Sequence, residues 1–155
     1  MKKMLCVALA LLLVGSIALA AVPQLSGSLF SAAKQAVVYL ASGEYERLVT
    51  LLPFSGDAPG AAEWERFARN YSNTGSVQRD YAVAYWKDGG WRIAVPMQVP
   101  DHGSVEVLLL LSRDGTTVSG YKYGTWSQVE ADSAGSDHVV WNREYVGGSP
   151  QVYAD

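Results

Sequence analysis

The sequence predicts an α+β fold: three N-terminal helices packed on a curved antiparallel meander of four to five strands. Two observations predict it. Up to about Gly75, apolar residues recur at intervals of three and four, the spacing of one helix face. After Gly75 they alternate or run in short blocks between turn signals, including Asp-Gly steps at Asp88-Gly89 and Asp114-Gly115. Helices gathered at one end of a domain and strands at the other make an α+β layer fold.

The first helix is expected over about residues 28–41, with Phe30, Ala33, Val37, Leu40 and Ala41 on one face. Ser28 is placed to cap its start and Gly43 to end it. A second helix begins near Glu44 and buries Tyr45, Leu48, Leu51 and Leu52, until Pro53 removes the N–H that a helix needs. Asp57-Ala58-Pro59 reads as the start of a third, whose apolar stripe is Trp64, Phe67, Ala68 and Tyr71.

The strands follow at 77–86, 91–99, 105–112 and 117–126. If Asp88 and Gly89 are the two loop residues of the first hairpin, Trp86 faces Trp91 and Ala84 faces Ile93. Pro100-Asp101-His102-Gly103 supplies the next turn. Residues 127–137 are polar and read as a loop. Residues 139–145 read as a fifth strand or as a cover over the sheet.

The N-terminus carries a different pattern. Lys2 and Lys3 precede an apolar stretch that ends in Ala18-Leu19-Ala20, the small-x-small site of a secretory signal peptide. Cleavage is expected before Ala21 or Val22. The alternative is an uncleaved anchor, since the apolar run from Met4 to Val22 is long enough to span a bilayer. The expected organisation is a signal peptide or anchor over 1–21, a short linker over 22–27, a single α+β domain over 28–146 and a flexible tail over 147–155. The protein is accordingly expected in the periplasm, outside the cell, or anchored on the outer side of the cytoplasmic membrane. Cys6 is the chain's one cysteine, so the exported part has no disulfide and relies on its core. Losing both signal lysines takes the net charge from −3 to −5. That balance argues against nucleic acid as a partner, and against a membrane unless the N-terminus is retained.

No catalytic motif stands out. A Gly-x-Ser-x-Gly elbow and a phosphate loop are both absent. His102, Asp101 and Glu106 are close in sequence, but a hairpin tip gives metal ligands no rigid shell, so neither a metal nor a cofactor is expected. Asp80 is the one carboxylate expected on an apolar strand face, where a raised pKa would suit a base. The plainer reading pairs it with Arg79 or Arg92 near the strand's open end.

The order of elements, and the Leu40-Ala41-Ser42-Gly43-Glu44-Tyr45-Glu46 link between the two opening helices, resemble the nuclear transport factor 2-like superfamily, and more closely its small exported bacterial members. The resemblance covers about residues 28–126. It implies a cone in which helices and a concave sheet enclose a pocket. Some members of that superfamily are enzymes and others bind ligands or proteins. Its isomerases and epoxide hydrolases use buried carboxylates with a Tyr or Arg, and no residue here matches such a motif position by position. Trp64, Tyr71, Asp80 and Trp91 are the candidates to line a pocket.

Carrying the register through both Asp-Gly turns, with a five-residue loop at 100–104, sorts the sheet into two faces. One holds Trp91, Ile93, Val95, Met97, Val105, Val107, Leu109, Leu111, Val118, Gly120 and Gly124, and is expected to receive the helices. The other holds Tyr81, Val83, Tyr85, Ala94, Leu108, Leu110, Tyr121 and Tyr123. Tyr81, Tyr85, Tyr121 and Tyr123 make it a candidate interface, for a homodimer or another partner, unless residues 139–145 fold over it. The sequence thus reads as a non-catalytic exported domain that binds a protein or small ligand in the cell envelope. The alternatives are a small pocket enzyme of the isomerase or hydrolase type using Asp80, and a membrane-tethered component of an envelope complex.

Overall fold

A computed structural model describes residues 21–69, 82–98, 106–142 and 153–154. Tyr71, Asp80, Tyr81 and the 100–103 turn lie outside the described residues, as does the N-terminal apolar segment up to residue 20.

Helix α1 spans Gly27–Ser42. Its cap is Ser26, two residues earlier than expected, whose hydroxyl accepts from the Leu29 N–H. At the other end Gly43 adopts φ 75°, and the Glu44 N–H donates to the Tyr39 carbonyl at 2.9 Å, closing the helix as the sequence predicts. Phe30, Ala33, Val37 and Leu40 are buried, while Ala41 is exposed. Helix α2 covers Tyr45–Leu51 and buries Leu48. Helix α3 covers Ala61–Arg69, starting a little later than Asp57-Ala58-Pro59 suggests. There the Glu63 side chain reaches back to accept from the Gly60 N–H at 2.9 Å, the carboxylate half of a capping box.

Strands β1 (Ala82–Lys87) and β2 (Gly90–Gln98) form the expected hairpin, with Trp86 opposite Trp91 and Ala84 opposite Ile93. Asp88 and Gly89 have φ 50° and 74°, as a two-residue turn of this kind requires. Nothing lies within 4 Å of a Cβ added at Gly89. Gly89→Val therefore meets only the backbone penalty of positive φ. It should lower stability by about 1–2 kcal/mol, read as a shift in the urea midpoint at unchanged slope.

Strand β3 (Glu106–Ser112) departs from the expected register by one residue. Pro96 pairs with Val107, but Gln98 pairs with Glu106, leaving Met97 as a bulge. Val95 thus faces Leu108, and Ile93 faces Leu110. A one-residue slip exchanges the faces of a strand. Leu108 and Leu110 therefore join the helix-facing core, while Val107 and Leu109 turn to the other side, reversing the expectation. Strand β4 (Gly120–Thr125) inherits the exchange, with Tyr121 opposite Leu110 and Tyr123 opposite Leu108.

The β3–β4 connection is longer than a two-residue hairpin. The Asp114 carboxylate accepts from the Thr116 and Thr117 N–H groups at 2.8 and 2.7 Å, and from the Thr117 hydroxyl. These bonds hold its pKa well below the usual carboxylate range. Gly115 follows at φ 76°. Val118, buried, bridges to Phe54: its N–H donates to the Pro53 carbonyl and its carbonyl accepts from the Ser55 N–H.

Residues 127–137, expected as a loop, are largely helical: α4 spans Trp126–Ala134. Strand β5 (Val139–Asn142) then runs antiparallel along the free edge of β1, and β6 (Tyr153–Ala154), inside the expected tail, pairs with β5. The sheet order is β4-β3-β2-β1-β5-β6. Helices α1–α3 pack on one face. Val129 of α4 packs on the other with Val83, Tyr85, Ala94, Val107 and Leu109. The residues after α4 therefore extend the sheet, and α4 itself provides the cover.

The expected linker at 22–27 is also structured. Val22 and Leu25 pack against the main core. The Trp91 indole N–H donates to the Pro23 carbonyl at 2.7 Å, and the Ser26 N–H donates to the Gly115 carbonyl at 2.8 Å. The segment is an arm seated on the β1–β2 hairpin and the β3–β4 loop.

Candidate functional site

The helix-facing interior is built around Trp64, which is completely buried. Its ring lies 4.4 Å from Tyr121, 5.8 Å from Phe67 and 6.3 Å from Phe54, centroid to centroid. Phe67 in turn stacks on Tyr123 at 4.4 Å with the rings 18° apart, and the Tyr123 hydroxyl donates to the Phe67 carbonyl. Helix α3 brings Trp64 and Phe67 together because they are three residues apart, and β4 brings Tyr121 and Tyr123 because they alternate. Burial raises both tyrosine pKa values. The Glu63 carboxylate adds to this at Tyr121, and the Glu106 carboxylate at Tyr123.

Of the residues expected to line a pocket, Trp64 belongs to the main core, and Trp91 borders an open cleft of about 200 Å3 together with Lys87, Arg92 and Ser112. Trp91 packs against Trp86, with ring centroids 5.7 Å apart, and anchors the arm through its indole N–H. The four tyrosines expected to share an open face are divided: Tyr121 and Tyr123 lie under α3, and Tyr85 lies on the opposite face with α4 above it. Tyr81 lies outside the described residues. The proposed dimer surface is therefore not assembled by Tyr85, Tyr121 and Tyr123. Arg92, an expected partner of Asp80, donates to Asp88 at 3.0 Å.

Sequence reasoning missed two polar residues in this interior. Lys34 is 5% exposed and shares the buried side of α1 with Phe30 and Val37. The signal was present, since Lys34 sits at helical spacing, four residues after Phe30 and three before Val37. Glu106, at the start of β3, has one carboxylate oxygen sealed from solvent with no hydrogen-bond partner among the described residues, and the Trp64 indole N–H shares that condition. Such orphaned groups are uncommon in protein interiors.

On the opposite face a polar cluster ties α4 to the sheet. Asp132 accepts from the Lys87 ammonium, and from the Tyr85 hydroxyl at 3.5 Å. Burial, then the Asp132 charge, push the Tyr85 pKa up to about 12. Between its ordinary value near 10 and 12, the unfolded chain loses the Tyr85 proton while the folded chain keeps it, so stability falls as pH rises through that window. The melting temperature of Tyr85→Phe should decline less steeply between pH 10 and 11.5 than that of the parent. Parallel slopes would show that Tyr85 does not contribute.

Two open clefts flank this cluster and share Ser136 and Asp137. One, of about 410 Å3, is lined by Trp86, Lys87, Asp88, Asp132 and His138. The other, of about 450 Å3, is lined by Glu130, Ser133, Val139 and Trp141. Among the described residues, no group of three or more His, Cys, Asp or Glu is placed to hold a metal, and no helix is long and apolar enough to cross a membrane. Compared with protein-family models, with curated proteins and with solved structures, the chain matches none.

Proposed function

We propose that this chain is a non-catalytic exported domain of the nuclear transport factor 2-like type, binding a protein partner or small ligand in the cell envelope. One observation carries the reading. Where an enzyme of that type would converge polar groups on an open cavity, the described interior is filled by Trp64, Phe54, Phe67 and Tyr121. Among the described residues, two of the open clefts lie on either side of the turn between α4 and β5, and their mixed acidic and aromatic lining suits contact better than catalysis. Photo-crosslinking from a probe at Asp137 in intact cells, set against a probe at Glu65 on the exposed side of α3, tests this. Adducts specific to Asp137 are expected. Equal labelling from both positions would remove these clefts from consideration.

The enzyme alternative rests on Asp80. Should a substrate be identified, a large fall in turnover for Asp80→Asn with the fold intact would promote it. The tethered alternative is decided by the N-terminus: sequencing is expected to begin at Ala21 or Val22, whereas Met1 on membrane-bound protein would establish the anchor.

A further inference from the structure

We propose that removal of the N-terminal leader and seating of the 22–26 arm exclude each other, so that the leader is cut only while the arm is undocked and a chain that folds first loses it slowly. The proposal rests on the export reading above. The expected cut falls before Ala21 or Val22, and the seated arm starts at once. Val22 packs on the core, the Pro23 carbonyl is held by the Trp91 indole N–H at 2.7 Å, and the Gln24 carbonyl lies against Gly115. The Ser26 N–H is bonded to the Gly115 carbonyl at 2.8 Å.

A protease takes the chain on both sides of the scissile bond as an extended strand and binds it largely through main-chain hydrogen bonds, as other peptide-binding clefts do. The first groups beyond the cut are the ones the domain already uses. Cleavage of the folded precursor therefore waits on undocking. That step breaks the Trp91 and Ser26 hydrogen bonds and returns Val22 and Leu25 to water. When opening is fast relative to cutting, the rate follows the population of the open form. The partition between a released and a tethered protein then becomes a race between processing and folding.

The experiment uses the full-length precursor, folded in detergent and exposed to purified signal peptidase, alongside two variants. One carries a Gly-Ser spacer of about six residues between Ala21 and Val22. At roughly 3.3 Å per residue this moves the cut well clear of the docked arm without touching the folded body. The other is Gly115→Val, whose side chain would collide with the Gln24 carbonyl of the docked arm. The folded parent should be cut at least about tenfold more slowly than either variant. Equal rates for the folded parent and the spacer form would overturn the proposal and leave the export reading standing. If no form is cut, the leader reading fails and the proposal fails with it.

Discussion

Gly115→Val is expected to destabilise the domain by about 3 kcal/mol, well beyond the loss expected at Gly89. Both glycines have nearly the same backbone conformation, with φ 76° and 74°. A side chain at either meets a strain of about 1–2 kcal/mol. Their surroundings separate them. Around Gly89 there is open space, but a Cβ at Gly115 would stand 2.4 Å from the Gln24 carbonyl oxygen and 3.0 Å from its carbon. Real atoms do not approach so closely, so either the loop or the arm must move. Overpacking of this kind costs about 1–3 kcal/mol more. Moving the arm also gives up the bond from Ser26 to Gly115 and the bond from Trp91 to Pro23. Urea titrations of both variants check the ordering. If Gly115→Val falls no further than Gly89→Val, the loop or the arm yields to the added side chain without cost.

Trp64→Ala should cost about 3–5 kcal/mol, the usual range for truncating a fully buried aromatic side chain. The cavity would open between α3 and β4, where Phe54, Phe67 and Tyr121 all rest on the indole. Because these neighbours are held in the α2–α3 connection, in α3 and in β4, collapse around the void is limited. Trp64→Phe gives a sharper test. It keeps an aromatic ring and removes an indole N–H that has no acceptor among the described residues, so the desolvation cost of that donor disappears with it. The Phe variant should therefore lose less than half of what the Ala variant loses. Equal losses would mean that the indole N–H is satisfied in solution, most simply by a buried water.

The hairpin at Asp88-Gly89 was readable from sequence because its chemistry is local: two residues that tolerate positive φ, flanked by alternation, fix which side chains face each other. The next connection could not be read in the same way. From Val107 to Leu111 the chain is continuously apolar, so alternation gives no preference for either face, and the register depended on one extra residue in β2. A signal for that residue did exist. Pro96 lacks the N–H that a central strand needs, and proline inside a sheet points to a bulge or an edge. Taken seriously, it would have placed the bulge beside Met97 and sent Tyr121 and Tyr123 into the helix-facing core. Helix α4 was missed for another reason. Five of its nine residues are Ser, Gln, Glu or Asp, and only Val129 and Ser133 are buried. Even so, Trp126, Val129 and Ser133 keep helical spacing. Of the candidate site, the aromatic residues were legible but their roles were not, because packing against α3 and docking of the arm are long-range contacts that no local pattern encodes.

The Trp86–Trp91 pair gives the molecule an optical signature. Two indoles 5.7 Å apart and 77° from parallel are close enough for their electronic transitions to couple. Such coupled chromophores give paired bands of opposite sign in circular dichroism, distinct from the contributions of helix and sheet. Trp91 is also the residue whose N–H holds the Pro23 carbonyl. The coupled bands should therefore change when the arm leaves its seat, even while the sheet beneath stays intact. The wild-type chain thus carries an intrinsic reporter for the state of its own N-terminus, and no label is needed to follow it.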